Sequence, residues 1–342
     1  MTNTQVDIKE NEIFEHSPEL LNALLKDQTL SSENEQVNIF WATDSYADLG
    51  DGYQYGDQIT IESINGTNGN VIVRRAVKSR EQQNQRIRER AEVFTPSWIC
   101  NKQNNLIDNA WFGRNGVFNS EVDNSDGTHS WIVNIAPIVF PEGKTWLDYV
   151  NENRLEITCG EAPYLVSRYD TVTGEPIPIE RRIGLLDRKL RVVGENTETS
   201  GDWLKAAQAA YMSVYGFEWQ GDNLVLAREA LLYTFIDYYR AKFGKDPQLK
   251  SLQHIVYIIS WNIWQMDGLK GVIPNSCIKI PKLKRETSSL FSPEEIGDPE
   301  TQTLADCPGC KNKDIHSHTC KYAKIRDWKD DKVLTFVSLI KE

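Results

Sequence analysis

Two groups of residues stand out for the chemistry they could do. The first is Glu218, which ends the run Tyr215-Gly216-Phe217-Glu218 and directly precedes Trp219. A carboxylate at the carboxyl end of a strand can hold both hydroxyls of a ribose, and an indole beside it can lie against a flat base. The second is Cys307-Pro308-Gly309-Cys310, followed by His316, His318 and Cys320. Two thiolates three residues apart, with Pro-Gly turning the chain between them, can aim two sulfurs at one metal ion. Cys320 and a histidine, His316 or His318, would complete four ligands. The expected set is Cys307, Cys310, His316 and Cys320, holding structural zinc. Cys100, Cys159 and Cys277 stand apart and read as buried small apolar residues.

Other segments offer their backbone. Thr95-Pro96 precedes a helical pattern; Pro96 suits a first turn and Thr95 can cap it. Free amides at such a helix start attract a carboxylate or phosphate. Cys159-Gly160-Glu161-Ala162 follows the strand pattern Arg154–Thr158, and its small residues let a ligand come close to the chain. Asp267 sits at the tip of the apolar run Ile263–Met266. Glu180, Asp187 and Lys189 invite comparison with a nuclease site, but no acid–x–acid–x–Lys strand carries them, and solvated charges explain them better.

These residues need elements to position them. Helix patterns fall at Gly201–Tyr211, at 224–238 with Asp222 as cap, and at Leu249–Ser260. Strand patterns fall at Arg154–Thr158, Val214–Glu218 and Asn262–Leu269. Alternation of this kind implies an α/β fold with a largely parallel sheet. Residues 171–200 read as an insertion between the first two strands. Earlier in the chain, Leu20, Leu21, Leu24 and Leu25 suggest a loosely held helix. From Gln58 to Ala76, alternating Ile and Val split by Asn/Gly pairs predict a β-hairpin. A basic stretch from Arg74 to Arg90 would contact phosphate or, more plainly, form a solvated helix face, since Glu81, Glu89 and Glu92 interrupt it.

Composition narrows the classes. The chain has 342 residues and a formal net charge of −11, which argues against a surface that is basic throughout. Neither a signal peptide nor an apolar run of membrane-spanning length is present, and six cysteines without a secretory signal suggest a reduced, cytoplasmic protein with no membrane partner. Three regions follow: 1–90 with the hairpin and basic helix, 91–270 as a cofactor-binding core, and 271–342 as a Pro/Ser-rich segment with the Cys/His extension.

Taken in order, the pieces from Ala91 to Leu269 resemble the S-adenosylmethionine-dependent adenine DNA methyltransferases of restriction–modification systems. Glu92-Val93-Phe94-Thr95-Pro96 is similar to the family's Phe/Tyr-Thr-Pro motif. Leu155–Leu165 resembles its strand and Ala-Cys-Gly-x-Gly turn, with Thr158 for the usual Ala and Ala162 for the second Gly. Tyr215–Glu218 and Ile263–Leu269 resemble the next two motifs. The resemblance implies a Rossmann-like methyltransferase sheet, with S-adenosylmethionine held by Phe94, Thr95, Pro96, Cys159, Gly160, Glu161, Ala162, Glu218, Trp219 and Asp267. It implies DNA as substrate and restriction or specificity subunits as partners. The family's Asn/Asp-Pro-Pro-Tyr/Phe tetrapeptide does not occur in residues 270–342. Two readings therefore stand: an enzyme methylating the exocyclic amine of adenine, with no catalytic residue assigned, or an inactive subunit that binds cofactor or DNA within a restriction or phage-defence complex.

Overall fold

The computed structural model describes residues 10–90, 92, 95–281 and 304–340. Two short helices, α1 (Glu10–His16) and α2 (Pro18–Leu25), come first. Leu20, Leu21, Leu24 and Leu25 are all buried, so α2 is core rather than a loosely held helix. The expected hairpin at 58–76 is absent. Thr60 and Ser63 form a reciprocal capping box that starts the single-turn helix α3 (Ile61–Ile64), and local side-chain bonds of this kind draw the backbone away from a strand ladder. Ile59, Ile64 and Ile72 still reach the core.

The basic stretch ends in α4 (Arg80–Arg90), and α5 (Ser97–Phe112) follows. Pro96, not Thr95, occupies the N-cap of α5, and the Asp170 carboxylate accepts the Ser97 amide at 2.8 Å. Strands β1 (Asn119–Asp123) and β2 (His129–Val133) form an antiparallel hairpin, then α6 (Trp146–Val150) leads to the central sheet.

That sheet is parallel and three-stranded: β3 (Arg154–Glu156), β4 (Val214–Glu218) and β5 (Ile263–Gln265), in the order β3-β4-β5. Helices α7 (Leu185–Asn196) and α8 (Ser200–Met212) connect the first pair; α9 (Gly221–Phe243) and α10 (Leu249–Asn262) connect the second. The segment read as an insertion is thus part of the core: Leu186, Leu190, Val192 and Val193 of α7 are buried. Parallel strands covered on both faces carry apolar residues without alternation: Val214 and Ile263 face the helical core, while Phe217 and Trp264 face the C-terminal segment. Arg228 of α9 is fully buried and donates to the carbonyls of Leu24, Lys26, Ser260 and Ile263, tying α2 to α10 and β5.

Beyond β5 lie the short pair β6 (Ile280–Pro281) and β7 (Leu304–Ala305), helix α11 (Pro308–Asn312), and the hairpin β8 (Lys324–Asp327) and β9 (Lys332–Thr335). Ala323, Ile325 and Phe336 from this part pack with Phe217 and Trp264 of the sheet. Among the described residues, no helix is long and apolar enough to cross a membrane.

Candidate functional site

The carboxyl ends of the parallel strands gather most of the residues singled out by sequence. After β3 the chain turns tightly, with Thr158, Gly160 and Ala162 at positive φ of 47°, 54° and 59°. Glu218 holds this turn. Its Oε2 accepts the Gly160 amide at 2.8 Å, and its Oε1 accepts the amides of Trp219 at 2.9 Å and Gln220 at 3.1 Å. Burial raises the Glu218 pKa, with the three amides working against it. Met266 donates its amide to the Glu218 carbonyl at 2.9 Å, so the three strand ends are linked in sequence. Trp219 is half-buried and donates through Nε1 to the Tyr55 hydroxyl at 3.2 Å. Cys159 and Ala162 are buried in the core.

Under the same turn lies Glu156, at the end of β3. Burial pushes its pKa up to about 8, amides of Tyr164 and Leu165 oppose the shift, and neighbouring Glu218 adds to it. Two buried carboxyls so close favour a proton on one of them.

Thr95 and Pro96 approach from another side. The Tyr164 side chain lies beside Thr95, and the Thr171 hydroxyl donates to the Thr95 carbonyl at 3.2 Å. Pro96 lines a groove of about 740 Å³ together with Trp98, His129, Trp131, Asp170 and Arg181. The rings of Trp98 and His129 stack there at 3.8 Å. Phe94 lies outside the described residues.

The basic stretch is divided: Arg80 and Arg88 are exposed, as on a solvated helix face, while Lys78 and Arg86 turn inward. Lys78 and Arg86 are buried and pair with Asp222 at 3.5 and 2.9 Å, and Arg86 also meets Glu92 at 2.5 Å. The Tyr46 hydroxyl donates to Asp222 at 2.8 Å. Burial would raise the Asp222 pKa, but Arg86 and Lys78 hold it down to about 2. Asp222 is therefore an ion-pair anchor in the first turn of α9 rather than its cap. Glu161 is used similarly: it accepts the Arg75 amide at 2.7 Å and the Tyr169 hydroxyl at 2.6 Å. The nuclease triplet disperses, since Lys189 is buried against the Glu152 carbonyl and Ser213, Asp187 binds Ser167, and Glu180 is exposed.

Asp267 begins the path to the cysteines. Its carboxylate accepts the Leu269 amide at 3.0 Å and pairs with Lys270 at 3.2 Å. Val272 then bridges to both Asp267 and Tyr322, which lays the segment before Cys277 beside the segment after Cys320. Cys277, Cys307, Cys310 and His318 meet, their ligand atoms all within 4.8 Å of one another. This cluster could hold a metal such as zinc. It corrects the expected set twice. His316 is exposed and its amide is turned to Asp314, whereas His318 points its Nδ1 at the sulfurs. Cys277 is a member rather than a buried apolar residue, and Cys320 lies beside it, with the sulfurs 3.3 Å apart.

Local chemistry shapes the cluster. Gly309 has no room for a side chain, because an added Cβ would stand 2.7 Å from the His318 ring and from the Asp314 carbonyl. The Thr319 amide donates to Cys307 Sγ at 3.2 Å. Partial burial would raise the Cys307 pKa, but hydrogen bonds from Thr319, Cys310 and His318 bring it down to about 5, which favours the thiolate that binds metal. No family model matches the chain, and comparison with curated proteins and with solved structures returns no significant match.

Proposed function

We propose that the chain is an S-adenosylmethionine-binding, methyltransferase-like protein of a restriction–modification or phage-defence system, acting on the exocyclic amine of adenine in DNA. One observation carries the reading: segments far apart in sequence converge on one end of a parallel sheet through the Tyr164–Thr95, Gly160–Glu218 and Met266–Glu218 contacts. Ligands of open α/β sheets bind outside the carboxyl ends of the strands. Glu218 Oε2 accepts one amide and keeps a second lone pair that a hydroxyl could use, while Oε1 accepts two amides. Methyl transfer from a sulfonium asks little acid–base help of the protein, so its residues would chiefly orient the amine toward the methyl group. Zinc at the cysteine cluster would be structural.

The inactive-subunit reading is favoured by a separate observation. The polar–Pro–Pro–aromatic tetrapeptide that would receive a flipped base is missing from residues 270–342. One experiment orders the possibilities. Equilibrium dialysis with labelled S-adenosylmethionine should show binding, and Glu218→Ala should weaken it at least tenfold. Incubation with unmethylated DNA, alone and with candidate specificity subunits, then separates enzyme from binding module. No binding by the wild-type chain refutes both readings.

A further inference from the structure

We propose that Cys277, Cys307, Cys310 and Nδ1 of His318 hold one zinc ion, and that Cys320 forms with Cys277 a peroxide-sensitive thiol pair that releases it. The inference stands independently of the methyltransferase reading.

The donor geometry selects the ligands. His318 Nδ1 lies 3.5 Å from Cys277 Sγ, 3.5 Å from Cys307 Sγ and 3.7 Å from Cys310 Sγ. In a tetrahedral site with the usual Zn–S and Zn–N bonds, nitrogen and sulfur stand about 3.5 Å apart. A three-thiolate, one-imidazole set suits Zn²⁺ among the common divalent ions. Cys320 fits differently. Its sulfur is 3.3 Å from Cys277 Sγ, inside the separation of about 3.8 Å that two sulfurs on one tetrahedral zinc would keep. It presses against a ligand without being one. Both thiols are half-exposed, within reach of a small oxidant. The Thr319 hydroxyl donates to the Ile278 carbonyl at 3.1 Å, so the residues next to the two cysteines are also tied together.

The chemistry balances with hydrogen peroxide as oxidant. The Cys277 thiolate attacks one peroxide oxygen; an S–O bond forms, the O–O bond breaks, and hydroxide leaves to become water. The Cys320 thiolate then attacks the Cys277 sulfenic sulfur; the S–S bond forms, the S–O bond breaks, and a second water leaves. Two thiols lose two electrons and peroxide gains them. Cys277 is no longer a thiolate, and the ion is left with three protein ligands.

The test uses the full chain purified with zinc. Metal content is measured by elemental analysis, release by a chromogenic chelator, and connectivity by peptide mass mapping. The wild type, His316→Ala and Cys320→Ser should each carry one zinc, whereas Cys277→Ser and His318→Ala should bind at least tenfold more weakly. Peroxide should release zinc from the wild type in step with a Cys277–Cys320 disulfide, and at least tenfold more slowly from Cys320→Ser. Three results would overturn the proposal: a wild type without zinc, loss of zinc from Cys320→Ser with retention in His318→Ala, or release from Cys320→Ser at the wild-type rate. If Cys277→Ser and His318→Ala fail to fold, His316→Ala and Cys320→Ser still decide.

Discussion

Glu156→Gln isolates the cost of burying a carboxyl beneath the strand ends. The side chain is nearly solvent-free, and its pKa is pushed from 4.5 up to about 8 by burial, with Glu218 contributing. A raised acid pKa means that the folded state binds more protons than the unfolded state between those two values. Stability from this group is therefore complete below about pH 4.5 and is lost as pH rises through about 8. The span of about 3.5 units corresponds to about 5 kcal/mol at 1.36 kcal/mol per unit. Glutamine keeps the shape and never ionises, so it escapes that loss. It also exchanges one acceptor for a donor, facing either the Tyr164 amide at 3.3 Å or the Leu165 amide at 3.1 Å. That mismatch costs about 1–3 kcal/mol at every pH. The two effects cross. Urea unfolding should find the variant less stable than wild type at pH 5 by up to about 2 kcal/mol, since the wild type has by then lost about 1 kcal/mol itself, and more stable at pH 9 by about 2–4 kcal/mol. Buried acids that do not face Glu156 titrate alike in both proteins and cancel in the difference; Glu218, which faces it, does not. A difference that keeps the same size and sign at pH 5 and pH 9 would refute the argument.

Two substitutions probe the frame around this end of the sheet. Arg228→Ala removes a fully buried donor to four carbonyls, and should lower the unfolding free energy by about 3–5 kcal/mol, read as a shift in the urea midpoint. Gly221→Ala places a Cβ 2.1 Å from the Phe40 carbonyl oxygen and 2.8 Å from Ile59 Cδ1, so the first turn of α9 and the Phe40 segment must part. It should cost about 1–3 kcal/mol or more in the same assay; a neutral effect would mean that the approach of these backbones is not tight.

Sequence and structure agree where a pattern repeats over several residues. The corner from β4 into α9 was legible because Val214–Glu218 and the spacing of Leu224, Ala227, Leu231 and Phe235 each repeat over several residues. The same is true of α8 and α10. At 58–76 the alternation of Ile and Val points to a hairpin, but the Thr60–Ser63 capping box, a two-residue signal, decides the short segment. Cys277 was missed for a different reason. Twenty-nine residues separate it from Cys307 in the sequence, and only the bridge between Val272 and Tyr322 brings them together. No spacing rule anticipates a ligand delivered by tertiary pairing, although the surplus histidine in His316-Ser317-His318 signalled that the local motif was underdetermined.

The basic stretch makes the same point about charge. Glu81, Glu89 and Glu92 are its neighbours in sequence, and they argued for a solvated face. The partner that matters is Asp222, more than a hundred residues later, buried in the first turn of α9. A buried carboxylate without cations would take up a proton or destabilise the fold. Lys78 and Arg86 instead keep it ionised, and Arg75 ties the same segment to Glu161 in the β3 turn. Arg75, Lys78 and Arg86 thus tie this segment to the two turns that sequence assigned to a cofactor.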